Sequence, residues 1–377
     1  MRVRLGDVCT IKQGVVKDTS NSVWLLNLDK VESETGKIIE FQYVDPNKIG
    51  TSTCQFDTGN VLYSKLRPYL NKVVLPDKEG FATSEMLPIR PDTTRILREY
   101  LTYYLRSPEF VAYISDKVAG AKMPRARTED LLNVRLQLPT LDEQTDIVKI
   151  LSIVSILITQ RKQQLCQLDD LVKSQFIEMF GDLHSNRFLW PKSTLGMEFV
   201  VTSGGTPSTG NEEYWNNGNI SWIGSNMCQN IILTENDGKY ITKQGFENSS
   251  AKLYKPGCVL IALVGATIGK TALLRIKTTT NQNIAGIDVN CNEKFTSEFV
   301  FYYIQSLYYK FMEIGDGQFK MANLSFIRGL ELLCPPLELQ ERFASLVVAT
   351  EKSKFAIQKS LETLKSLKNA LMQQYFG

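Results

Sequence analysis

Pro139-Thr-Leu-Asp-Glu-Gln144 and, 196 residues further on, Pro335-Pro-Leu-Glu-Leu-Gln340 are the two stretches on which the reading of this chain turns. The same spacing links Glu178-Met-Phe-Gly181 to Gln374-Tyr-Phe-Gly377, so the whole of 139–181 recurs without a gap. Thr140 and Glu143 have the spacing of a capping box: the hydroxyl can accept the third N–H of a helix while the carboxylate reaches back, and Asp142 and Glu143 suit the positive end of the dipole. Ile147, Ile150, Leu151, Val154, Leu157, Ile158, Leu165, Leu168, Val172 and Phe176 then recur at three- and four-residue steps, and Gly181 offers a stop. The pattern predicts one helix of roughly 40 residues, about 60 Å long. In the second copy Pro336 replaces the capping threonine, and Phe343, Leu346, Val347, Ile357, Leu361, Leu364, Leu367 and Leu371 repeat the stripe.

Upstream of each helix the sequence also restarts. Arg4-Leu-Gly-Asp-Val-Cys-Thr-Ile-Lys-Gln-Gly14 is echoed by Thr194-Leu-Gly-Met-Glu-Phe-Val-Val-Thr-Ser-Gly204, Gly59-Asn-Val-Leu-Tyr by Gly257-Cys-Val-Leu-Ile, and Glu99-Tyr-Leu-Thr-Tyr-Tyr-Leu105 by Glu298-Phe-Val-Phe-Tyr-Tyr-Ile304. The small drift in spacing implies loop insertions. Short apolar runs such as Val61-Leu-Tyr, Lys72-Val-Val-Leu75, Val259-Leu-Ile-Ala-Leu-Val264 and Thr271-Ala-Leu-Leu274 read as strands, with helices near 95–106 and 297–311. The expected organisation is α+β: two tandem α/β globules, 1–138 and 183–334, each followed by a long helix, 139–182 and 335–377. Exposed alone, either apolar stripe would be costly, so the two helices are expected to pair as an antiparallel coiled coil with pseudo-two-fold symmetry.

Composition narrows the function. The 377 residues carry 43 Lys and Arg against 40 Asp and Glu, a net charge of +3 that excludes a histone-like polycation, and 43% hydrophobic residues suffice for two cores. The seven cysteines are scattered with no C-x-x-C pair, which fits a reducing cytoplasm better than a zinc ribbon or disulfide framework. His184 is the only histidine, so multi-histidine metal sites are excluded and a surface or linker role is expected for it. Gly265-Ala-Thr-Ile-Gly269-Lys270-Thr271 has three residues between its glycines where a Walker loop needs four. No catalytic centre emerges, and the chain is expected not to be an enzyme by itself. No signal or transmembrane segment is expected, because the longest apolar stretch, Ile147 to Ile158, is short and interrupted by Lys149. That stretch is nevertheless apolar around nearly its whole circumference, more than one partner helix covers. A second subunit is therefore expected on Ile147, Ile150, Leu151, Val154 and Leu157, with Leu346 and Val347 as the second-copy counterpart.

The ordered duplication of a globule and a long helix opened by P-x-L-x-E-Q resembles the specificity subunit of type I restriction-modification systems. Ser203-Gly-Gly-Thr-Pro-Ser208, followed by Glu213-Tyr-Trp215 and Ile220-Ser-Trp-Ile-Gly224, resembles the opening of that family's target recognition domains, as does Leu5-Gly-Asp7. Leu339 in place of Glu143, and a first globule without a GGTP element, depart from the pattern. The resemblance implies a non-catalytic reader of double-stranded DNA, each globule recognising half of a bipartite target and the helices setting the gap. It also implies two docked adenine methyltransferase subunits and restriction subunits, with S-adenosylmethionine, ATP and Mg on those partners and no cofactor on this chain. Half-sites of pseudo-two-fold readers are displaced by about one duplex turn, roughly 34 Å, or more.

Base reading requires forked or paired hydrogen-bonding side chains, and phosphate contacts require cations and backbone N–H groups. Lys122, Arg125 and Arg127 lie in a Gly- and Pro-containing loop whose repeat partner carries Gln318, Lys320 and Asn323. Lys65 and Arg67 fall where Gly265 to Lys270 falls in the second copy, and Ser203 and Thr206 complete the candidate set. A structural turn remains an equal reading of Ser203 to Ser208. Tyr103, Tyr104, Tyr302 and Tyr303 lie at equivalent helix positions and are expected to pack in cores. The competing functions are a coiled-coil scaffold without DNA affinity, a reader for a multisubunit methyltransferase without cleavage, and an NTPase acting through Lys270.

Overall fold

The computed structural model describes residues 1–17, 21–118, 123–182, 186–314 and 321–377. Two compact units divide the chain: the first takes Met1–Gln163 and Gln358–Gly377, the second Gln164–Ile357. Both long helices form as expected, Leu141–Phe180 and Leu337–Phe376, each of 40 residues. The division falls within them, so each unit holds the first part of one helix and the last part of the other.

In the first unit, two short sheets enclose one core between them and present a second to the helices. One sheet is antiparallel, in the order Cys9–Ile11, Met86–Pro91, Val61–Ser64, Val73–Val74. The other runs Tyr43–Val44, Val23–Leu26, Gly80–Thr83, Thr53–Phe56, with Leu25 facing Phe81 in a parallel pair. The period of two along Val61–Ser64 separates the cores: Leu62 packs with Trp24, Leu26, Phe56 and Val74 between the sheets, whereas Val61 and Tyr63 point to the helix side. There they meet Tyr100, Leu101, Tyr104, Phe110, Ile147, Leu151, Met372 and Phe376. The expected helix near 95–106 is Arg98–Leu105, followed by a helix Pro108–Asp116 that Ser107 caps through a hydrogen bond from the Phe110 N–H.

The second unit repeats this plan. Val259 and Ile261 face the helices while Leu260 and Ala262 face the inter-sheet core with Ile223, Ala272, Leu274 and Ile284. Its larger sheet has the order Val200–Ser203, Ile284–Asp288, Val259–Ala262, Thr271–Leu274, Ile231–Leu233. The last strand, parallel to Thr271–Leu274, has no counterpart among the described residues of the first unit, and it accounts for part of the drift in repeat spacing. The expected helix at 297–311 breaks at Leu307 into Ser297–Ser306 and Tyr308–Met312. Phe176 and Phe180 of one long helix meet Phe343 of the other edge to face, with ring centroids 5.3 and 5.6 Å apart, and Lys354 Nζ lies 2.9 Å from Asp169. Within this unit the partners step in opposite directions, so the two helices are antiparallel.

Both helix starts are locked by the same buried glutamine, and the first also by a capping box. The Thr140 N–H and hydroxyl donate to Glu143 at 2.8 and 3.0 Å, and the Glu143 N–H returns to the Thr140 hydroxyl at 3.3 Å, closing the capping box. These hydrogen bonds hold the Glu143 carboxyl below its ordinary range. Gln144 is fully buried: its Oε1 accepts the Leu97 N–H at 2.8 Å and its Nε2 donates to the carbonyls of Arg95 and Pro139 at 2.9 and 3.0 Å. Gln340 does the same with Thr296, Lys294 and Pro335 at 3.0, 3.1 and 2.9 Å. Glutamine suits this place because one side chain supplies both an acceptor and two donors to backbone that would otherwise be buried unpaired.

Candidate nucleic-acid interface

Three separate segments converge in each globule, at the end of its central strand. In the first, the chain leaves Val61–Ser64 through Lys65 to Arg67; Lys65 N–H donates to the Glu85 carbonyl at 2.9 Å, Ala126 N–H to the Lys65 carbonyl at 2.9 Å, and Arg67 N–H to the Pro124 carbonyl at 2.8 Å. Leu66 and Arg125 form an isolated antiparallel bridge. In the second, the chain leaves Val259–Ala262 through Leu263; its N–H donates to the Asn283 carbonyl at 2.8 Å, the Ala322 N–H donates to its carbonyl at 2.9 Å, and Val264 bridges Met321. The fold thus brings together, in both repeats, the two loops singled out from sequence. It adds a third, Ser84–Glu85 or Asn281–Asn283, which the sequence reading missed. The amide run Thr280-Asn-Gln-Asn283 carried that signal, because Asn and Gln pair with adenine through two hydrogen bonds.

The individual side chains are not equally available. Arg67 and Arg127 are exposed and Lys65 is half-buried. Arg67 adopts a left-handed φ of 49°, which turns the chain sharply at the junction. Arg125 is exposed, yet its guanidinium is engaged by Glu85 at 2.9 to 3.1 Å, which raises its pKa and means that a DNA contact must compete with that carboxylate. Lys270, half-buried, donates to Gln229 Oε1 at 2.9 Å, and Thr206 donates to the exposed Gln282 at 2.6 Å. Asn323 needs revision as a base reader: its Oδ1 caps the helix Leu324–Gly329 by accepting the Phe326 N–H at 2.8 Å, leaving only the amide NH2 for a ligand. Arg127 occupies the same capping position before Thr128–Asn133 without a side-chain cap bond. Lys122, Gln318, Lys320 and His184 lie outside the described residues.

Ser203 ends the strand Val200–Ser203, paired with Ala285, and the glycines after it are packing necessities. A Cβ on Gly204 would lie 2.1 Å from Thr280 Oγ1, and one on Gly205 2.3 Å from Ser250 Oγ. The Gly205 carbonyl accepts the Trp222 indole N–H at 3.2 Å, and that of Ser208 accepts Trp215 at 3.1 Å, with the two rings perpendicular at 5.2 Å. Most of Ser203 to Ser208 is therefore a strut; Ser208 is exposed, and Thr206, half-buried, reaches the exposed Gln282.

The helices need a correction of their own. Ile147, Leu151, Val154 and Val347 are buried within the chain, and Leu346 is half-buried. Packing by the antiparallel helix and the globule removes the four from any outer surface. What stays exposed in the first unit is Ile150, Ile153, Ile156 and Leu157, between 36% and 56% accessible and spaced as one helix face. Tyr104 and Tyr303 are core residues, as expected, whereas Tyr103 and Tyr302 are half-buried and line cavities. Among the described residues no helix is long and apolar enough to cross a membrane.

These features define a chain of two homologous two-sheet globules, each with a three-segment junction at the end of its central strand and each tied to a long helix. A profile of the type I restriction modification DNA specificity domain matches residues 1–167 and 190–368. The chain belongs to that family. It is 29% identical over 119 residues to the EcoDI specificity subunit of Escherichia coli, covering 32% of this chain and 26% of that protein. With the MjaX putative specificity subunit of Methanocaldococcus jannaschii it shares 25% identity over 335 residues, 83% of this chain and 76% of the relative. The S subunit of a type I system from M. genitalium has the same fold, with a TM-score of 0.61 at 14% identity over 100% of this chain and 96% of that one.

Proposed function

We propose that this chain is the DNA-reading specificity subunit of a type I restriction-modification assembly and performs no chemistry itself. Each globule reads one half of a bipartite duplex target, and the long helices fix the gap and dock two adenine methyltransferase subunits, with restriction subunits joining for cleavage. S-adenosylmethionine, ATP and Mg belong to those partners, and the assembly works in the cytoplasm. The observation that carries this reading is the recurrence of one three-segment junction in both globules, cationic in the first and rich in amides in the second. Arg67, Arg127 and Lys65 have the chemistry for phosphate and guanine, and Gln282, Gln229 and Thr206 the hydrogen-bonding capacity for base edges. The exposed face of Ile150, Ile153, Ile156 and Leu157 is the apolar surface on which a methyltransferase subunit would sit.

A genome-wide map of methylated adenine, made with and without the gene, tests the proposal. Loss of a mark at a split motif with a fixed gap is expected. An unchanged map in cells that express the methyltransferase partner would refute it and favour a scaffold role.

A further inference from the structure

Equivalent cavities open in the two units between globule and helix pair, and their charges differ. In the second unit a cavity of about 540 Å³ is lined by Tyr302, Gln305, Asp169, Lys173, Glu351 and Lys354. Its charges are balanced and joined, with Lys354 Nζ 2.9 Å from Asp169 and 3.0 Å from Glu351. In the first unit the counterpart, about 480 Å³, is lined by Tyr103, Arg106, Lys162, Lys365 and Lys368, with Glu34 as its only carboxylate. By the repeat, Arg106 stands in place of Gln305, Lys365 in place of Asp169 and Ile158 in place of Lys354. The internal ion pair is absent there: both lysines of the second cavity are replaced, Lys354 by Ile158 and Lys173 by Asn369, and the four cations stand at positions that are Gln305, Gln358, Asp169 and Val172 in the second copy.

Among the described residues none of Arg106, Lys162, Lys365 and Lys368 takes part in an ion pair. Arg106 donates through Nη2 to the Val73 carbonyl at 2.5 Å, but its Nε is buried with no hydrogen-bond partner. Asn71, which donates to the Arg106 carbonyl at 3.0 Å, likewise has a buried Oδ1 without one. Arg106 and Lys368 are half-buried while Lys162 and Lys365 are exposed, so it is the withdrawn part of this cluster whose like charges are costly unless an anion lies between them. Burial, with Arg106 and Lys162 opposite, lowers the Lys368 pKa, and only Glu34 pulls it back. Burial also brings Arg106 down to about 10.

We infer that the first-unit cavity is a binding site for a small multivalent phosphoryl anion, held by Arg106, Lys162, Lys365 and Lys368. A recessed cavity of this size admits a small anion, whereas a duplex backbone passes over the surface. A phosphoryl group presents several acceptor oxygens to the Arg fork and the lysine ammoniums at once. The anion is either free or the polyphosphate end of a nucleotide whose base lies toward Tyr103 and the exposed Tyr69.

Calorimetric titration of the full chain with pyrophosphate at constant ionic strength tests this. Saturable 1:1 binding is expected, weakened at least about tenfold in the Lys162→Gln/Lys368→Gln double variant by loss of two charge-assisted contacts. Lys173→Gln in the balanced cavity should leave it unchanged. Because the double variant relieves repulsion, its thermal midpoint without ligand should match or exceed wild type, and pyrophosphate should raise only the wild-type midpoint. A parallel titration with ATP separates the sources: tighter binding than pyrophosphate assigns a nucleotide, equal or weaker binding a free anion. No saturation up to about 1 mM pyrophosphate, or equal affinity in the double variant, overturns the inference. So does a loss of duplex-DNA affinity in the double variant when pyrophosphate does not bind, which would give the cavity to the DNA backbone.

Discussion

Gln144 and Gln340 each spend every polar atom they can on backbone at the joint between a globule and its helix. Replacing Gln144 with Ala strands the Leu97 N–H and the carbonyls of Arg95 and Pro139, an expected cost on the order of 2 to 4 kcal/mol at about 1 kcal/mol per lost bond plus the penalty of unsatisfied groups. Denaturant unfolding checks it, and Gln340→Ala should match. At the three-segment junction, the candidate DNA contact, the sign of an effect is more informative than its size. Glu85→Ala releases the Arg125 guanidinium and should tighten duplex binding and steepen its salt dependence, whereas Arg127→Ala should reduce the slope by about one if it neutralises a phosphate. Anisotropy titrations of the assembled complex across a salt series measure both. Weaker binding by Glu85→Ala would show that Arg125 needs its carboxylate to hold a productive pose.

Among the elements, what was legible from sequence followed local physics. Thr140 and Glu143 marked a helix start and Gly181, at a φ of 82°, its end, and the short apolar runs at Val61-Leu-Tyr and Val259-Leu-Ile-Ala gave the two central strands. What was not legible depended on contacts distant in sequence. The all-round apolar segment from Ile147 looked like one docking surface, but burial by the globule and the antiparallel helix takes Ile147, Leu151 and Val154 out of it. Asn323 has the residue type of an adenine reader and the position of a helix cap, and only the fold says which is used. Glu85, the partner that occupies Arg125, lies 40 residues away along the chain. The outer stripe that survives makes a sharp prediction. Ile153→Glu with Ile156→Glu places two charges on an exposed face, so stability should change by no more than about 0.5 kcal/mol per site. Co-purification of the methyltransferase subunit should be lost, and undiminished recovery would move the docking surface elsewhere.

For the whole molecule, duplication sets the division of labour. On the proposed function, two globules with one plan and different junction chemistry, Lys65, Arg67 and Arg127 against Gln229, Thr206 and Gln282, would read DNA independently. Exchanging residues 1–138 for the corresponding segment of another family member should alter one half of the methylated motif and leave the other half and the gap unchanged. Sequencing of methylated adenines detects this, and a change in both halves would contradict independence.

Each globule is also closed at its base. Arg2–Arg4 pairs antiparallel with Arg135–Gln137, and Lys192–Thr194 with Glu331–Leu333, and beyond each pair a further hydrogen bond of 2.8 Å joins Leu138 to Met1 and Cys334 to Pro191. The chain enters and leaves a globule through adjacent strands, so everything between them is a loop with its ends already tied. In genetic terms, a crossover within the codons of these clasps replaces a complete globule and leaves both helices intact, and the incoming globule need supply only backbone groups to each glutamine lock. On the proposed function, such a gene would acquire a new target in one recombination event, whereas point substitution at a junction must keep three converging segments compatible at every step.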